Sequence, residues 1–176
     1  MRLLLVRHPR PDIGPGICYG RSDIATTTDE IERVRVTLPA SLPTWTSPLV
    51  RCASLARSLA PPHLQADARL AEMDFGAWEL RSWDDIPRVE VDAWVADLLH
   101  YRPGGGESVL DVARRVAAFR ADLYREGHAE VLVICHAGTM RLLRALHTGL
   151  PFEAAAIEAA RTPHRIGYGE MLALDD

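Results

Sequence analysis

Two apolar runs of the same design stand near the two ends of the chain. Leu3-Leu4-Leu5-Val6 and Val131-Leu132-Val133-Ile134 are long enough for buried strands and too short for core helices. Between them the apolar positions recur at helical spacing. Ile31, Val34 and Leu38 face one way on a helix that Thr28 caps, with Asp29 and Glu30 in its first turn and Pro39 as its stop. Thr44 to Ser47 reads as a second strand. Ser47-Pro48 then starts a helix, serine as cap and proline in the first turn, whose stripe is Leu49, Cys52, Leu55, Ala56 and Leu59. Pro61-Pro62 closes it, and Leu64 to Ala66 follows as a short strand.

Arg69 to Trp78 reads as a loop. A helix is predicted across Arg88 to His100, with Val91, Trp94, Val95 and Leu98 on one face. Pro103-Gly104-Gly105-Gly106 is a flexible break, and Ser108 with Asp111 forms a capping box. Val109, Val112, Val116, Phe119 and Leu123 stripe the next helix, which Gly127 ends. After the strand Val131 to Cys135 comes a helix over Gly138 to His147, stopped by Gly149-Leu150-Pro151. A final strand lies within Arg165 to Leu174. Alternating strands and helices predict an α/β chain, a three-layer α/β/α sandwich with a mostly parallel central sheet. At 176 residues the expectation is one domain spanning 1–176.

Composition narrows the function classes. The net charge of −4 gives no general attraction to nucleic acid or to an anionic membrane, so neither is expected as a partner. All 20 basic residues are arginine, with no lysine in the chain, as a coding bias produces. Cys18, Cys52 and Cys135 are odd in number and widely spaced, so neither a disulfide framework nor a zinc site is indicated. A reducing, cytoplasmic setting is expected, since the first apolar run is too short for a signal-peptide core. Whether the chain is a monomer or a homodimer stays open.

The chemistry lies where the strands end. The first run stops at Arg7-His8, the second at Cys135-His136, and Arg51 stands one turn into the helix after the Thr44 strand. The carboxyl ends of parallel strands are where open α/β folds place ligands. Two histidines and two arginines at three such ends describe a pocket for a phosphoryl group. The loop after His8 packs three prolines and two glycines into Pro9 to Gly16 and runs on to Asp23, a long loop in a functional position.

Arg7-His8, Ser47-Pro48-Leu49-Val50-Arg51-Cys52, Glu72 within Leu70-Ala71-Glu72-Met73-Asp74-Phe75-Gly76-Ala77-Trp78-Glu79, and Cys135-His136-Ala137-Gly138 occur in that order. This series resembles the histidine phosphatase superfamily, which includes cofactor-dependent phosphoglycerate mutase, and implies a phosphoglycerate mutase-like fold. The resemblance assigns His8 as the nucleophile that forms a phosphohistidine. Arg7 and Arg51 beside it would oppose protonation and keep its ring neutral. Arg7, Arg51 and His136 would hold the phosphoryl oxygens, with the amides of Ala137 and Gly138 as further donors. Glu72 takes the place of the family's acid, which protonates the leaving oxygen and later deprotonates water. Asp74 and Glu79 compete for that role on sequence alone. Arg141 reads as an ion-pair residue.

Two positions depart from the family pattern: Pro9 stands where glycine commonly follows the nucleophile, and Leu80 where Trp-Glu-Gly is common. Gly16 to Asp23 is similar to the corresponding loop of α-ribazole phosphatases, which makes Arg21 a candidate substrate ligand; a turn held by Gly20 and Asp23 explains the loop equally well. Pro103 to Ser108 also resembles a family segment, in which Glu107 either touches substrate or serves the helix cap. The short chain favours hydrolysis over mutase chemistry. The expected activity is a phosphomonoesterase with no metal and no cofactor, acting on a small phosphate ester, with α-ribazole 5′-phosphate the most specific substrate. The alternatives are another small ester, protein phosphohistidine, or a protein that binds a phosphorylated ligand without turnover.

Overall fold

The computed structural model describes residues 1–163 and 165–175. Its centre is a five-stranded sheet built from β1 (Arg2–Arg7), β2 (Thr44–Thr46), β3 (Leu64–Ala66), β4 (Glu130–Cys135) and β5 (Met171–Leu174), in the spatial order β3-β2-β4-β1-β5. The first four run parallel, and β5 pairs antiparallel with β1 at the edge. The helices are α1 (Thr28–Arg35), α2 (Val50–Ser58), α3 (Arg88–Ala96), α4 (Val109–Arg125), α5 (Ala137–His147) and α6 (Phe152–Arg161).

Side-chain alternation along β1 and β4 makes the layers. Leu3, Leu5, Val131 and Val133 point into a large core with Val116, Phe119 and Leu123 of α4 and Met140, Leu142 and Leu143 of α5. Leu4, Val6, Leu132 and Ile134 point the other way, onto Val34 of α1 and Cys52, Leu55 and Ala56 of α2. The arrangement is therefore a three-layer α/β/α sandwich. A third cluster, Cys18, Trp78 and Ile86 with Phe75, Trp94 and Tyr101 against them, packs the loop between β1 and α1 against the segments between β3 and α4.

Several local expectations change. Thr27 caps α1, not Thr28: its side-chain oxygen accepts from the Glu30 amide at 3.3 Å. Helix α2 starts at Val50, and its first amide donates to Asp23 Oδ1 at 2.6 Å, so the cap comes from the long loop. Ser47 Oγ accepts from the Leu49 amide at 3.3 Å, just ahead of the helix, and also serves the site described below. Helix α3 stops at Ala96, and Val95 is 63% exposed, whereas Val91 and Trp94 pack on the aromatic cluster. The expected break at Pro103 to Gly106 is instead a defined turn. Pro103–Gly105 is a 3₁₀ turn against the Gly76 turn, where a Cβ on Gly76 or Gly104 would strike the opposing backbone. Helix α6 departs from the sequence reading. Pro151 reads as a stop, yet it precedes an alanine-rich helix whose Ala155, Ala156 and Ala159 pack into the core. The capping box of Ser108 and Asp111 is present on α4.

Candidate active site

Sheet register brings the two histidines together. Arg7 of β1 pairs with Cys135 of β4, so the next residues, His8 and His136, leave neighbouring parallel strands side by side. The His8 amide donates to the Cys135 carbonyl at 3.0 Å, and the two rings lie 5.0 Å apart between centroids. Thr46 of β2 aligns with Ile134, which places Ser47 and then α2 on the far side of His136.

The His8 ring has a defined tautomer. Its Nδ1 lies 2.7 Å from the Pro9 carbonyl oxygen, which can only accept, so Nδ1 carries the proton and Nε2 keeps its lone pair. Burial, and after it the positive charge of Arg51 and then of Arg7, hold the His8 pKa down at about 3, against an opposite pull from the Pro9 hydrogen bond. The ring is therefore neutral at physiological pH. The Tyr168 ring lies 5.6 Å from it, and the Arg7 guanidinium sits 3.9 Å over the Tyr168 ring.

Arg51 is completely buried. Its Nη1 donates to the Ser22 carbonyl at 2.7 Å and its Nη2 to the Gly20 carbonyl at 2.5 Å, while its Nε is buried without a partner. Arg7 Nη1 donates to the Ile166 carbonyl at 2.6 Å, and its Nε is likewise unpartnered. Two guanidiniums, each anchored on backbone carbonyls and each with an unpartnered Nε, line a cavity of about 450 Å³ together with His8, Glu72, Ala137 and Gly138. Such donors suit a dianionic phosphoryl group.

His136 stands behind this wall. It is fully buried, and its Nε2 shares a hydrogen bond with Ser47 Oγ at 2.8 Å. Burial, then the neighbouring His8 and Arg51, keep its pKa well below the ordinary histidine value. Arg21 does not line the cavity: its side chain is exposed, and its amide donates to Glu79 Oε1 at 2.9 Å. Gly138 reaches the wall, but its amide donates to Glu72 Oε2 at 3.1 Å and is not open to a phosphoryl oxygen.

The three acidic candidates separate. Glu72 alone of them lines the cavity, its carboxylate resting on the start of α5 and accepting also from the Met73 amide at 3.1 Å. Asp74 Oδ1 closes a turn onto the Gly76 amide. Glu79 accepts from the amides of Gly20, Arg21, Ser22 and Phe75 and from the Ser22 hydroxyl. Burial opposes its charge, but those bonds together hold its pKa below the usual carboxylate range. Glu79 thus fixes the loop that Arg51 also grips. Glu107 pairs with Arg115 away from the cavity.

Other residues at or beside the wall were read differently from the sequence or not at all. Arg141 lines the cavity, but its Nη2 donates to the carbonyls of Ala160 and Thr162 at the end of α6 and makes no ion pair among the described residues. Tyr19 and Tyr168 join their hydroxyls at 2.8 Å beside His8. Phe75, Trp83 and Trp94 form an aromatic wall, with the two indoles 7° from parallel and both near perpendicular to Phe75. Tyr19 lies in the loop already marked as functional; Tyr168 and the tryptophans carried no motif. Among the described residues no three His, Cys, Asp or Glu side chains are grouped to hold a metal ion. No helix among them is long and apolar enough to cross a membrane.

The family model of the histidine phosphatase superfamily (branch 1) matches residues 3–162. The adenosylcobalamin/α-ribazole phosphatase of Escherichia coli is 32% identical over 168 residues, 88% of this chain and 82% of that protein. The crystal structure of the α-ribazole phosphatase of Shigella flexneri superposes with a TM-score of 0.83 at 29% identity, covering 99% of this chain and 90% of that one. A phosphoglycerate mutase of Thermus thermophilus gives a TM-score of 0.69 at 30% identity, covering 99% and 93%.

Proposed function

The chain belongs to the histidine phosphatase superfamily and is a phosphatase, and from that premise we propose that it hydrolyses α-ribazole 5′-phosphate through a phosphohistidine on His8. The observation that carries the reading is the His8 ring: its proton sits on Nδ1 at the Pro9 carbonyl, and its Nε2 lone pair stands beside two half-anchored arginines.

The phosphoryl group lies between Arg7 and Arg51, which neutralise its charge. The Nε2 lone pair of His8 attacks phosphorus as the P–O bond to the leaving group breaks. Glu72, protonated, gives its proton to the departing oxygen. A water molecule then attacks the phosphohistidine, Glu72 takes up its proton, the P–N bond breaks, and inorganic phosphate leaves. His136 packs against the His8 ring and holds it in line, and its neutrality avoids a third cation beside the arginines. Ala137 closes the wall beside the phosphoryl group. Arg21, exposed and held at its amide, orders the loop and does not bind the phosphate.

The leaving-group side of the cavity supports the substrate. The lining combines two kinds of residue: Arg7, Arg51, Arg141 and Glu72, and beside them the apolar Ile17, Phe75, Trp83, Trp94, Leu98 and Val109. A flat fused base such as that of α-ribazole suits an aromatic wall.

The test is hydrolysis of para-nitrophenyl phosphate in EDTA, wild type beside His8→Ala, followed by α-ribazole 5′-phosphate beside ribose 5-phosphate. The expected result is activity in wild type, a loss of roughly a thousandfold or more in the variant, and a higher kcat/KM for the α-ribazole ester. Equal activity in His8→Ala overturns the covalent mechanism. A preference for ribose 5-phosphate overturns the substrate assignment.

A further inference from the structure

One guanidinium outside the cavity commits all five of its N–H donors to the segment that carries Glu72 and to a single carboxylate beside it. Arg115 of α4 donates from Nη1 to the carbonyls of Arg69 at 2.7 Å and Ala71 at 2.6 Å. Its Nη2 donates to the carbonyl of Glu72 at 3.1 Å and to Glu107 Oε2 at 2.9 Å. Its Nε donates to Glu107 Oε1 at 2.9 Å. Glu107 extends the grip: its Oε2 accepts from the Asp74 amide at 3.0 Å, and its own amide donates to the Asp74 carbonyl at 2.8 Å.

The segment needs such a hold. Between β3 and α3 it has only short 3₁₀ turns and no sheet ladder to fix its path. The Arg115 and Glu107 side chains are 17% and 18% exposed, so the pair is little screened by water. Neither lines the cavity. We propose that Arg115, paired with Glu107, is a positioning residue for the acid, fixing the backbone of 69–74 so that the Glu72 carboxyl meets the leaving-group oxygen. This rests on the reading of Glu72 as proton donor. Lysine cannot replace the arginine, because one ammonium cannot span three carbonyls and a carboxylate in a planar fork.

The experiment compares two esters. Para-nitrophenolate leaves without a proton, whereas the alkoxide of glycerol phosphate needs one. Because Glu72 also serves the later water step on either ester, the rate read is release of the alcohol in the first turnover, which precedes that step. Arg115→Lys, Glu107→Gln, Glu72→Gln and the double variant Glu72→Gln with Arg115→Lys are assayed in this way on both, with circular dichroism as the check of folding. Arg115→Lys is expected to lower first-turnover release of glycerol roughly 10- to 100-fold, the cost of a slightly misplaced acid, with the burst of nitrophenolate little changed. Glu107→Gln, which keeps the three carbonyl contacts, is expected to do the same to a smaller degree and serves if Arg115→Lys does not fold. The double variant should lose no more than Glu72→Gln alone. Equal losses on both esters in Arg115→Lys and Glu107→Gln, with a selective loss in Glu72→Gln, overturn the positioning role and leave the acid in place. An unselective Glu72→Gln removes the proton-donor reading, and the positioning proposal with it.

Discussion

His8 Nδ1 donates to the carbonyl of the very next residue, Pro9, at 2.7 Å. The residue that replaces the family's usual glycine therefore serves the nucleophile through its backbone, not its ring. Pro9→Gly is expected to keep kcat on para-nitrophenyl phosphate within about tenfold of wild type, less than about 1.4 kcal/mol of barrier. The acceptor survives the substitution and only chain stiffness is lost. A drop comparable with that of His8→Ala would show that the proline ring itself shapes the site.

Burial of neutral histidine makes stability depend on pH. An unfolded His8 takes up a proton near its ordinary value of 6.5, and the folded ring refuses one until about pH 3. Between those values the unfolded state binds more protons, so this contribution is full above pH 6.5 and is lost as pH falls. His136 is shifted in the same direction. The His8 ring contributes a slope of up to roughly 1.4 kcal/mol per pH unit in that window, and His136 adds to it in the same sense. Urea unfolding at about pH 7, 6 and 5 is expected to show falling stability, with a shallower fall in His8→Asn. Identical slopes in the two proteins would mean that His8 is protonated in the folded state well above pH 3.

Glu72 rests on glycine for a reason of space. A Cβ on Gly138 would strike the Glu72 carboxylate, although the α5 backbone there suits any residue. Gly138→Ala should therefore fold at least as well as wild type, since alanine gains up to about 1 kcal/mol over glycine in a helix. Its release of glycerol in the first turnover on glycerol phosphate is expected to slow roughly 10- to 100-fold as the acid is pushed aside, with much less effect on the burst of nitrophenolate. First-turnover rates on the two esters, read beside a melting curve, check this; unchanged rates on both would show that Glu72 has freedom to shift without cost.

The nucleophile end of the site was legible because it depends on strand ends. Short apolar runs announce β1 and β4, and parallel register then carries His8 and His136 to one edge. Arg51 was legible from its turn after β2, but its grip on the Gly20 and Ser22 carbonyls was not, because loop backbone contacts leave no periodic trace. Ser47 shows the limit: Ser-Pro before an apolar stripe fits a helix cap, and Ser47 does accept from the Leu49 amide, yet tertiary geometry shares its hydroxyl with His136 and gives the first helical amide to Asp23. Glu79 and Glu72 look alike in sequence and part only when the fold aims one at the donors of a loop and the other at the cavity. Helix α6 was hidden because small alanines give a weak apolar stripe.

Leu80 is the second place where the chain departs from the family's glycine, and here the backbone does register it. Its φ is +63°, in the left-handed region, and the conformation is set by the turn that brings its amide to the Cys18 carbonyl at 2.8 Å while Glu79 collects the loop amides. A Cβ in that region costs about 1–2 kcal/mol, against about 0.5–1 kcal/mol of extra unfolded-state freedom for glycine. The side chain is 58% exposed, so little burial is forfeited when it is removed. Leu80→Gly is therefore expected to stabilise the protein by about 0.5–1 kcal/mol, seen as a higher urea midpoint at unchanged slope, with kcat unaltered because the loop keeps its path. Leu80→Ala is the control: it loses the same exposed surface but keeps the Cβ, and should show no gain. If alanine stabilises as much as glycine, the benefit comes from trimming an exposed leucine and the backbone at position 80 carries no strain.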